Sequence, residues 1–141
     1  MLCTIPAPHY GTPRLTSAQR SGLRYQARVE RQVRSWAEAL GWRVHSGLWF
    51  LDPATSAPCS PDIVLETPSG CTLIIEVKLT QTDCSQQWAK YQRALGDGQS
   101  PSPHSSSSLP PCIQICRRLT SPSTMSTLDD FHHGGVLLAF M

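Results

Sequence analysis

The sequence has no apolar run long enough to cross a membrane. Spanning a bilayer takes roughly 20 consecutive apolar residues, and no stretch of the 141-residue chain approaches that length. Residues 1–13 also lack the charged-then-apolar order of a signal peptide, so the sequence predicts a cytoplasmic protein with no membrane partner. Charged residues are few, at 16%, but a hydrophobic content of 40% is typical of a globular chain rather than a disordered one.

The cysteines form no CxxC pair and are scattered along the chain. Structural zinc needs four converging ligands, and no two close pairs exist to supply them. A chain of this length and hydrophobic content can build a single core without disulfide bonds. We therefore expect one domain in which the six cysteines are small buried thiols: Cys3, Cys59, Cys71, Cys84, Cys112 and Cys116.

The net charge is only +2, but the charges are unevenly distributed. Residues 1–50 carry seven arginines against two glutamates, whereas residues 51–100 carry three basic against six acidic residues. A basic N-terminal part beside an acidic centre is typical of proteins that meet a phosphate backbone and hold cations. Five arginines are predicted on one helix, on the arc opposite its apolar residues, which favours a solvated face over a nucleic-acid track: Arg20, Arg24, Arg28, Arg31 and Arg34.

Residues 1–15 are predicted to be an irregular lead-in, and residues 16–141 a single domain. Residues 16–19 (TSAQ) have the pattern of a capping box that opens a helix. Gly41 supplies its stop, and Gly22 is a possible break. The apolar face of this helix is predicted from residues that recur at helical spacing: Val29, Val33, Trp36, Ala37 and Leu40.

The remaining pattern predicts an α/β protein with a central mixed β-sheet flanked by helices, in the order α-β-β-β-α-β-β. A flexible loop rich in serine and proline is expected over residues 97–111, inside the domain. The other predicted elements are strand material over 42–51 with a bend at Gly47, a hairpin over 62–80, a helix that buries Trp88 and Tyr91, and strands over 112–119 and 135–140.

The strand CTLIIEVKLT (residues 71–80) carries two charges among apolar residues. With the two-residue period of a strand, Glu76 and Lys78 face the same side, their Cα atoms about 6.5–7 Å apart. Such a pair alone is common as a surface ion pair. Asp62 begins the preceding strand of the hairpin, and a tight turn brings it beside them. Two carboxylates can hold Mg²⁺, and a lysine can orient or deprotonate water or neutralise phosphate charge.

These residues resemble the signature of the PD-(D/E)XK nuclease superfamily: Pro61-Asp62, thirteen intervening residues, then Glu76-Val77-Lys78. The resemblance implies a restriction-endonuclease-like core and hydrolysis of phosphodiester bonds, with DNA as the expected substrate and Mg²⁺ or Mn²⁺ as the cofactor. It also implies that Asp62, Glu76 and the carbonyl of Val77 bind the metal and that Lys78 serves the attacking water. Small stand-alone domains of this kind are similar to those of phages, mobile elements and repair systems.

Three further residues extend the resemblance. Glu30 matches an acidic residue that the superfamily often carries on its first core helix, where it would complete the metal site; the alternative is a solvated residue paired with Arg34. Gln87 and Tyr91 are similar to the QxxxY element of the branch containing RecB-like and lambda-exonuclease-like enzymes, in which the Gln supports the site and the Tyr positions it or contacts DNA. The alternative for both is a helix packing face.

Two other functions stay open at this level. One is a Holliday-junction-resolvase-like or repair endonuclease, for which a homodimer would be expected. The other is a non-catalytic nucleic-acid-binding or assembly protein that keeps the nuclease fold. The complete set of Asp62, Glu76 and Lys78 argues against the second. Neither His45 nor the pair His132-His133 is predicted to take part, because no other ligand residues converge on them.

Overall fold

The computed structural model describes residues 2–96, 109–118 and 135–139. The predicted loop of residues 97–111 lies largely outside these ranges, as do His132 and His133. The described part is mixed α/β, with two helices and seven strands: α1 (Ser17–Ala39), β1 (Arg43–Ser46), β2 (Phe50–Leu51), β3 (Pro58–Cys59), β4 (Ile63–Glu66), β5 (Thr72–Thr80), α2 (Ser85–Gly96), β6 (Cys112–Arg118) and β7 (Gly135–Ala139).

Five of the strands form one mixed sheet in the order β1-β4-β5-β6-β7. The pairs β1–β4 and β4–β5 are antiparallel, whereas β5–β6 and β6–β7 are parallel. The predicted mixed sheet is therefore confirmed. The predicted element order is incomplete, because β2 and β3 form a separate antiparallel pair. Gly47 separates β1 from β2 with a φ of 70°, a left-handed conformation that glycine adopts without steric cost.

Helix α1 begins at the predicted capping box. The Gln19 amide donates to Thr16 Oγ1 (3.1 Å), and the Thr16 amide donates to Gln19 Oε1 (2.8 Å). These two bonds satisfy backbone donors that the first turn of a helix leaves unpaired. The predicted break at Gly22 is wrong, since α1 runs through it without interruption. A single glycine costs a helix only about 1 kcal/mol relative to alanine, which a long, packed helix absorbs.

The apolar face of α1 differs in part from the prediction. Its buried residues follow one another at four-residue spacing: Tyr25, Val29, Val33 and Ala37. Trp36 and Leu40, which were predicted to join them, are 53% and 50% exposed. Trp36 lies about 100° around the helix from Ala37, so it points past the sheet. There its ring packs edge-on against Trp42, with ring centroids 5.2 Å apart.

The alternation of β5 divides the interior into two clusters, one on each face of the sheet. Ile75 and Val77 belong to the cluster that contains the α1 residues. Ile74 faces the other way, into a cluster with Tyr91 of α2. The two helices therefore cover opposite faces of the sheet. Glu76 has the parity of Ile74, so it points to the α2 face.

The six cysteines are all free thiols. The prediction that they are buried holds for four of them, Cys59, Cys84, Cys112 and Cys116. It is wrong for Cys3 and Cys71, which are exposed. Cys3 lies in the irregular lead-in and Cys71 at the hairpin turn, where neither is covered by a packed element.

An ion pair between a buried Asp52 and a partly exposed Arg93 joins the loop after β2 to helix α2. Asp52 has no exposed surface, and Arg93 donates to both of its oxygens, at 3.0 Å from Nε and 2.8 Å from a terminal nitrogen. The Ala54 amide and the Thr55 hydroxyl also donate to this carboxylate. The hydrogen bonds from Arg93 hold the pKa of Asp52 well below its usual range. The pair therefore fixes α2 against the β2–β3 hairpin.

In the part of the chain that the structure describes, neither helix combines the length and the apolar content that crossing a bilayer would take.

The buried and exposed leucines provide a matched test of the core. Leu65 is fully buried in β4, whereas Leu51 at the end of β2 is 47% exposed. We expect Leu65→Ala to lower the free energy of unfolding by about 2–5 kcal/mol, through lost burial and the cavity left behind. The same change at Leu51 should cost much less. Urea unfolding of both variants measures this, and equal losses would contradict the assignment of the core.

The Asp52–Arg93 pair predicts a pH-dependent contribution to stability. Because the pKa of Asp52 is lower in the folded protein than in the unfolded chain, the contribution is present above about pH 4 and is lost as the pH falls towards the folded-state pKa. Arg93→Gln should therefore destabilise the protein clearly at pH 7 and less at pH 2–3. Arg31→Gln, at an exposed arginine, is the control in urea unfolding. A loss independent of pH would contradict the prediction.

Candidate active site

The register of the β4–β5 hairpin places Asp62 close to Glu76. The antiparallel pairing ends with Ile63 opposite Ile75; Asp62 directly precedes Ile63, and Glu76 directly follows Ile75. The charge of Asp62 acts on Glu76, so the two carboxylates lie close together. The convergence of these two carboxylates that the sequence predicted is thus present.

Asp62 is held by the backbone of the neighbouring strand. The Val77 amide donates to Asp62 Oδ2 at 2.8 Å. In a strand the amide and carbonyl of one residue point to the same side, so the Val77 carbonyl also faces the side of Asp62, where β4 has already ended. None of the hydrogen bonds among the described residues involves Asp62 Oδ1. The Asp62 carboxylate and the Val77 carbonyl therefore lie on the same side of β5.

Glu76 is almost completely buried, with 3% of its surface exposed, and each of its oxygens has a partner. Lys78 Nζ lies 3.1 Å from Oε1. The Tyr91 hydroxyl is 3.3 Å from Oε2, and it also lies 3.4 Å from the carbonyl of Ser60. Tyr91 thus links α2 both to Glu76 and to the segment that leads into Asp62.

The electrostatics of this group oppose ionisation of the two acids. Burial raises the pKa of Asp62, although the Val77 amide and Lys78 act to lower it. Burial and the neighbouring Asp62 raise the pKa of Glu76 against the opposing effects of Lys78 and Tyr91. Like charges placed directly opposite each other in a sheet destabilise it. The positive charge that the protein supplies therefore does not fully compensate the two carboxylates. A site that binds an added cation has this property.

Among the residues that the structure describes, Lys78 is the basic residue that forms an ion pair with Glu76. Burial by itself would lower the pKa of Lys78, but the ion pair and hydrogen bond with Glu76 outweigh that effect, so the pKa lies above its usual value. With 29% of its side chain exposed, Lys78 sits between the buried Glu76 and solvent. The ammonium is therefore protonated and accessible from outside.

Gln114 is a buried neighbour of the site that the sequence analysis missed. It lies on β6 in register with Glu76, and its side-chain amide donates to the Thr82 carbonyl (2.6 Å) and to Cys84 Sγ (2.8 Å). Its Oε1 accepts from the Thr82 amide (3.1 Å). These bonds hold the connection from β5 to α2 over the site. The alternation of β6 marks Gln114 as a polar residue on the face of two cysteines, but only the parallel register reveals that it adjoins Glu76.

Glu30 is not brought together with the two acids. Its Oε1 accepts from the Ser46 hydroxyl (2.7 Å) and from Arg34 (3.3 Å), on the α1 side of the sheet. The pairing with Arg34 is the alternative that the sequence left open. Gln87 is half-buried on α2, one turn before Tyr91, and its side chain forms none of the side-chain hydrogen bonds found among the described residues. A catalytic role for either residue stays a prediction.

The residues present fit a divalent cation only in part. Across residues 2–96, 109–118 and 135–139, no group of three or more His, Cys, Asp or Glu side chains has a metal-binding arrangement. Asp62 and Glu76 supply two carboxylates, and the Val77 carbonyl supplies a third oxygen. Mg²⁺ and Mn²⁺ are bound by such hard oxygen ligands, and Mg²⁺ usually keeps several waters. Two carboxylates and one carbonyl are oxygen ligands of the right kind, but both Glu76 oxygens are already engaged by Lys78 and Tyr91.

No protein-family model matches this chain, and no curated protein or solved structure is similar enough to match it. The assignment of a function therefore depends on the geometry of its own residues.

The opposed carboxylates predict that removing one charge stabilises the metal-free protein. Asn at position 62 keeps an oxygen that accepts from the Val77 amide but does not repel Glu76. The pKa of Asp62 is higher in the folded protein than in the unfolded chain, so ionised Asp62 lowers the free energy of unfolding at neutral pH. This destabilisation is lost as the pH falls to about 4, the pKa of Asp in the unfolded chain. In EDTA, Asp62→Asn should therefore raise the melting temperature at pH 7.5 and not at pH 4.

The same variant tests the metal site. A cation that binds only the folded state adds about 2.7 kcal/mol of stability at one hundred times its Kd. Millimolar Mn²⁺ should raise the melting temperature of the unaltered protein but not that of Asp62→Asn. Glu66→Gln, which removes a carboxylate at the other end of β4, should keep the response. An equal response in all three proteins would place the cation elsewhere.

Proposed function

We propose that this protein is a metal-dependent nuclease with a restriction-endonuclease-like core that hydrolyses phosphodiester bonds of nucleic acid, with DNA as its substrate. The observation that carries the proposal is the proximity of Asp62 and Glu76 at the β4–β5 hairpin, with Lys78 on the same face of β5 as Glu76. This spatial set agrees with the resemblance of Pro61-Asp62 and Glu76-Val77-Lys78 to the PD-(D/E)XK signature.

Asp62, Glu76 and the Val77 carbonyl would hold Mg²⁺ or Mn²⁺. When bound, the cation polarises the phosphoryl oxygen and lowers the pKa of a bound water, which supplies the nucleophile at neutral pH. Burial of Glu76 keeps competing water away from this side of the site. Two acids on one face attract a cation more strongly than a single carboxylate does.

Lys78 carries its proton in the pair with Glu76, which favours an electrostatic role over acceptance of a proton from water. An ammonium beside the two acids can neutralise the charge that develops on the phosphate as a bond to oxygen breaks. Its partial exposure leaves it accessible to a substrate that approaches from solvent. Of the roles that the sequence left open for Lys78, we propose this one.

Tyr91 acts as a positioning residue. Its hydroxyl donates towards Glu76 Oε2 and the Ser60 carbonyl, so it orients one acid and steadies the segment before the other. The proposed function does not require Glu30, whose participation would mean leaving Ser46 and Arg34.

Cleavage assays test the proposal. We expect the purified protein to cut linear, circular, single-stranded or branched DNA with Mg²⁺ or Mn²⁺ and to be inactive in EDTA. Lys78→Ala should lower the rate by at least about 100-fold, the usual cost of removing one group that stabilises developing charge. Asp62→Asn should abolish cleavage, whereas the matched control Glu66→Gln should cut normally.

The pattern of substrates separates the neighbouring functions. Cleavage confined to branched substrates would indicate a junction-resolving enzyme. Binding without cleavage under any metal condition would indicate a non-catalytic binding protein. Undiminished cleavage by Asp62→Asn would show that the activity does not arise at this site.

A further inference from the structure

One side of helix α1 carries a stripe of four arginines. Successive residues of a helix are about 100° apart, which places all four within an arc of about 80°. Every member is exposed. They extend over about 16 Å along the axis at the usual rise of 1.5 Å per residue. We call this set the arginine stripe: Arg20, Arg24, Arg28 and Arg31.

Within residues 2–96, 109–118 and 135–139, the arginine stripe has no acidic partner. No Asp or Glu occurs in residues 1–29, and Glu30 is the first acid of the chain. Arg20 donates to the Leu15 carbonyl and lies 3.4 Å from the Ser17 hydroxyl, and Arg24 donates to the Ser21 hydroxyl, so these partners are neutral. Among the residues that the structure describes, no carboxylate forms an ion pair with any arginine of the stripe.

Arg34, one turn beyond the stripe, shows the opposite behaviour. Its guanidinium lies 3.3 Å from Glu30 and 3.8 Å from Glu38, and it also donates to the Val44 carbonyl. An ordinary solvated helix face mixes charges in this way, with acids and bases at four-residue spacing. The stripe lacks that mixture, so a solvated face does not account for it.

The scaffold holds the stripe in a fixed line. The opposite side of α1 is packed into the sheet through Tyr25, Val29, Val33 and Ala37, and the capping box closes its first turn. A helix fixed in this way loses little freedom when its surface binds a partner. Its length matches about five phosphates along one strand of duplex DNA, at 3.4 Å per charge.

We propose that the arginine stripe binds the phosphate backbone of nucleic acid without reading its sequence. The proposal rests on the proposed function in taking nucleic acid as the polyanion, but it does not depend on cleavage. An anionic membrane is the weaker candidate, because a helix that binds a membrane surface inserts an apolar face. In α1 the four apolar residues Tyr25, Val29, Val33 and Ala37 are already covered by the sheet, which leaves Leu23 and Trp36 as its exposed large apolar side chains.

The salt dependence of binding tests this surface. Affinity for a duplex of about 20 base pairs is measured in EDTA over 50–200 mM salt by fluorescence anisotropy. Each phosphate contact contributes about 0.9 to the slope of log K against log salt. The variant with all four arginines changed to Gln should lower the magnitude of the slope by about 3–4. Its thermal unfolding should stay close to that of the unaltered protein, because Gln and Arg have similar helix propensities.

Arg34→Gln is the matched control, since it removes one positive charge from the same helix at a paired position. Each single stripe variant should lower the slope by about 0.9, whereas Arg34→Gln should leave it within about 0.3. Equal effects at all five positions would overturn the proposal, because they would report net charge alone. An unchanged slope in the fourfold variant would overturn it as well.

Two further arms separate the alternatives. Vesicles containing 30% phosphatidylserine replace DNA in the first; selective loss of vesicle binding, with DNA binding retained, would overturn the proposal in favour of a membrane. In the second, binding is repeated with Asp62→Asn. If the salt slope of Asp62→Asn still depends on the arginine stripe, nucleic-acid binding by the stripe is supported even when no cleavage is observed. The two proposals can therefore fail independently.

Discussion

The antiparallel register between β4 and β5 is the constraint on which the candidate site depends. Side chains on a strand alternate with a period of two, so a slip of one residue would move Asp62 to the opposite face from Glu76. The register is maintained by Ile63 and Leu65, which are fully buried against α1. Hydrophobic burial on one face of the sheet thus enforces the approach of two like charges on the other face.

Helix α2 and the β2–β3 hairpin support that approach from the second face. The pair of Asp52 and Arg93 fixes the helix against the hairpin, and Tyr91 then reaches both Glu76 and the Ser60 carbonyl. Each half of the site therefore has its own tether, one through the backbone amide of Val77 and one through α2. These two tethers hold the acids close together although their charges repel each other. The repulsion costs folding free energy and contributes to the raised pKa of Glu76.

The arginine stripe and the two carboxylates of the candidate site lie on opposite sides of the sheet. The acids of the candidate site lie on the α2 face, whereas α1 carries the arginine stripe on the surface farthest from the sheet. In the C-terminal half of α1, Glu30 and Glu38 pair with Arg34, and the stripe ends before this group. A polyanion that approached the stripe would meet a field of one sign, and a cation that approached Asp62 would meet the other.

Short-range patterns were sufficient for much of this structure. The capping box at Thr16, the bend at Gly47 and the pairing of residues 62–80 into a hairpin follow from local backbone chemistry, and the alternation of β5 placed Glu76 and Lys78 on one face. The break predicted at Gly22 is wrong, because the helix-propensity cost of one glycine is small compared with the packing energy of a long helix. Trp36 was also predicted wrongly, because periodicity defines an apolar arc but not which part of that arc meets the sheet.

Tertiary structure decided the rest, through contacts between residues distant in sequence. The parallel pairing that sets Gln114 beside Glu76 joins strands separated by a helix and a long connection, and no local pattern specifies such a register. The pairing of Glu30 with Arg34 rather than with the site likewise depends on how α1 lies on the sheet. So does the absence of acid partners along the arginine stripe in the described part of the chain. The sequence by itself determined which chemical groups are available, because residue type and strand parity are local. Only the fold determined which of them meet.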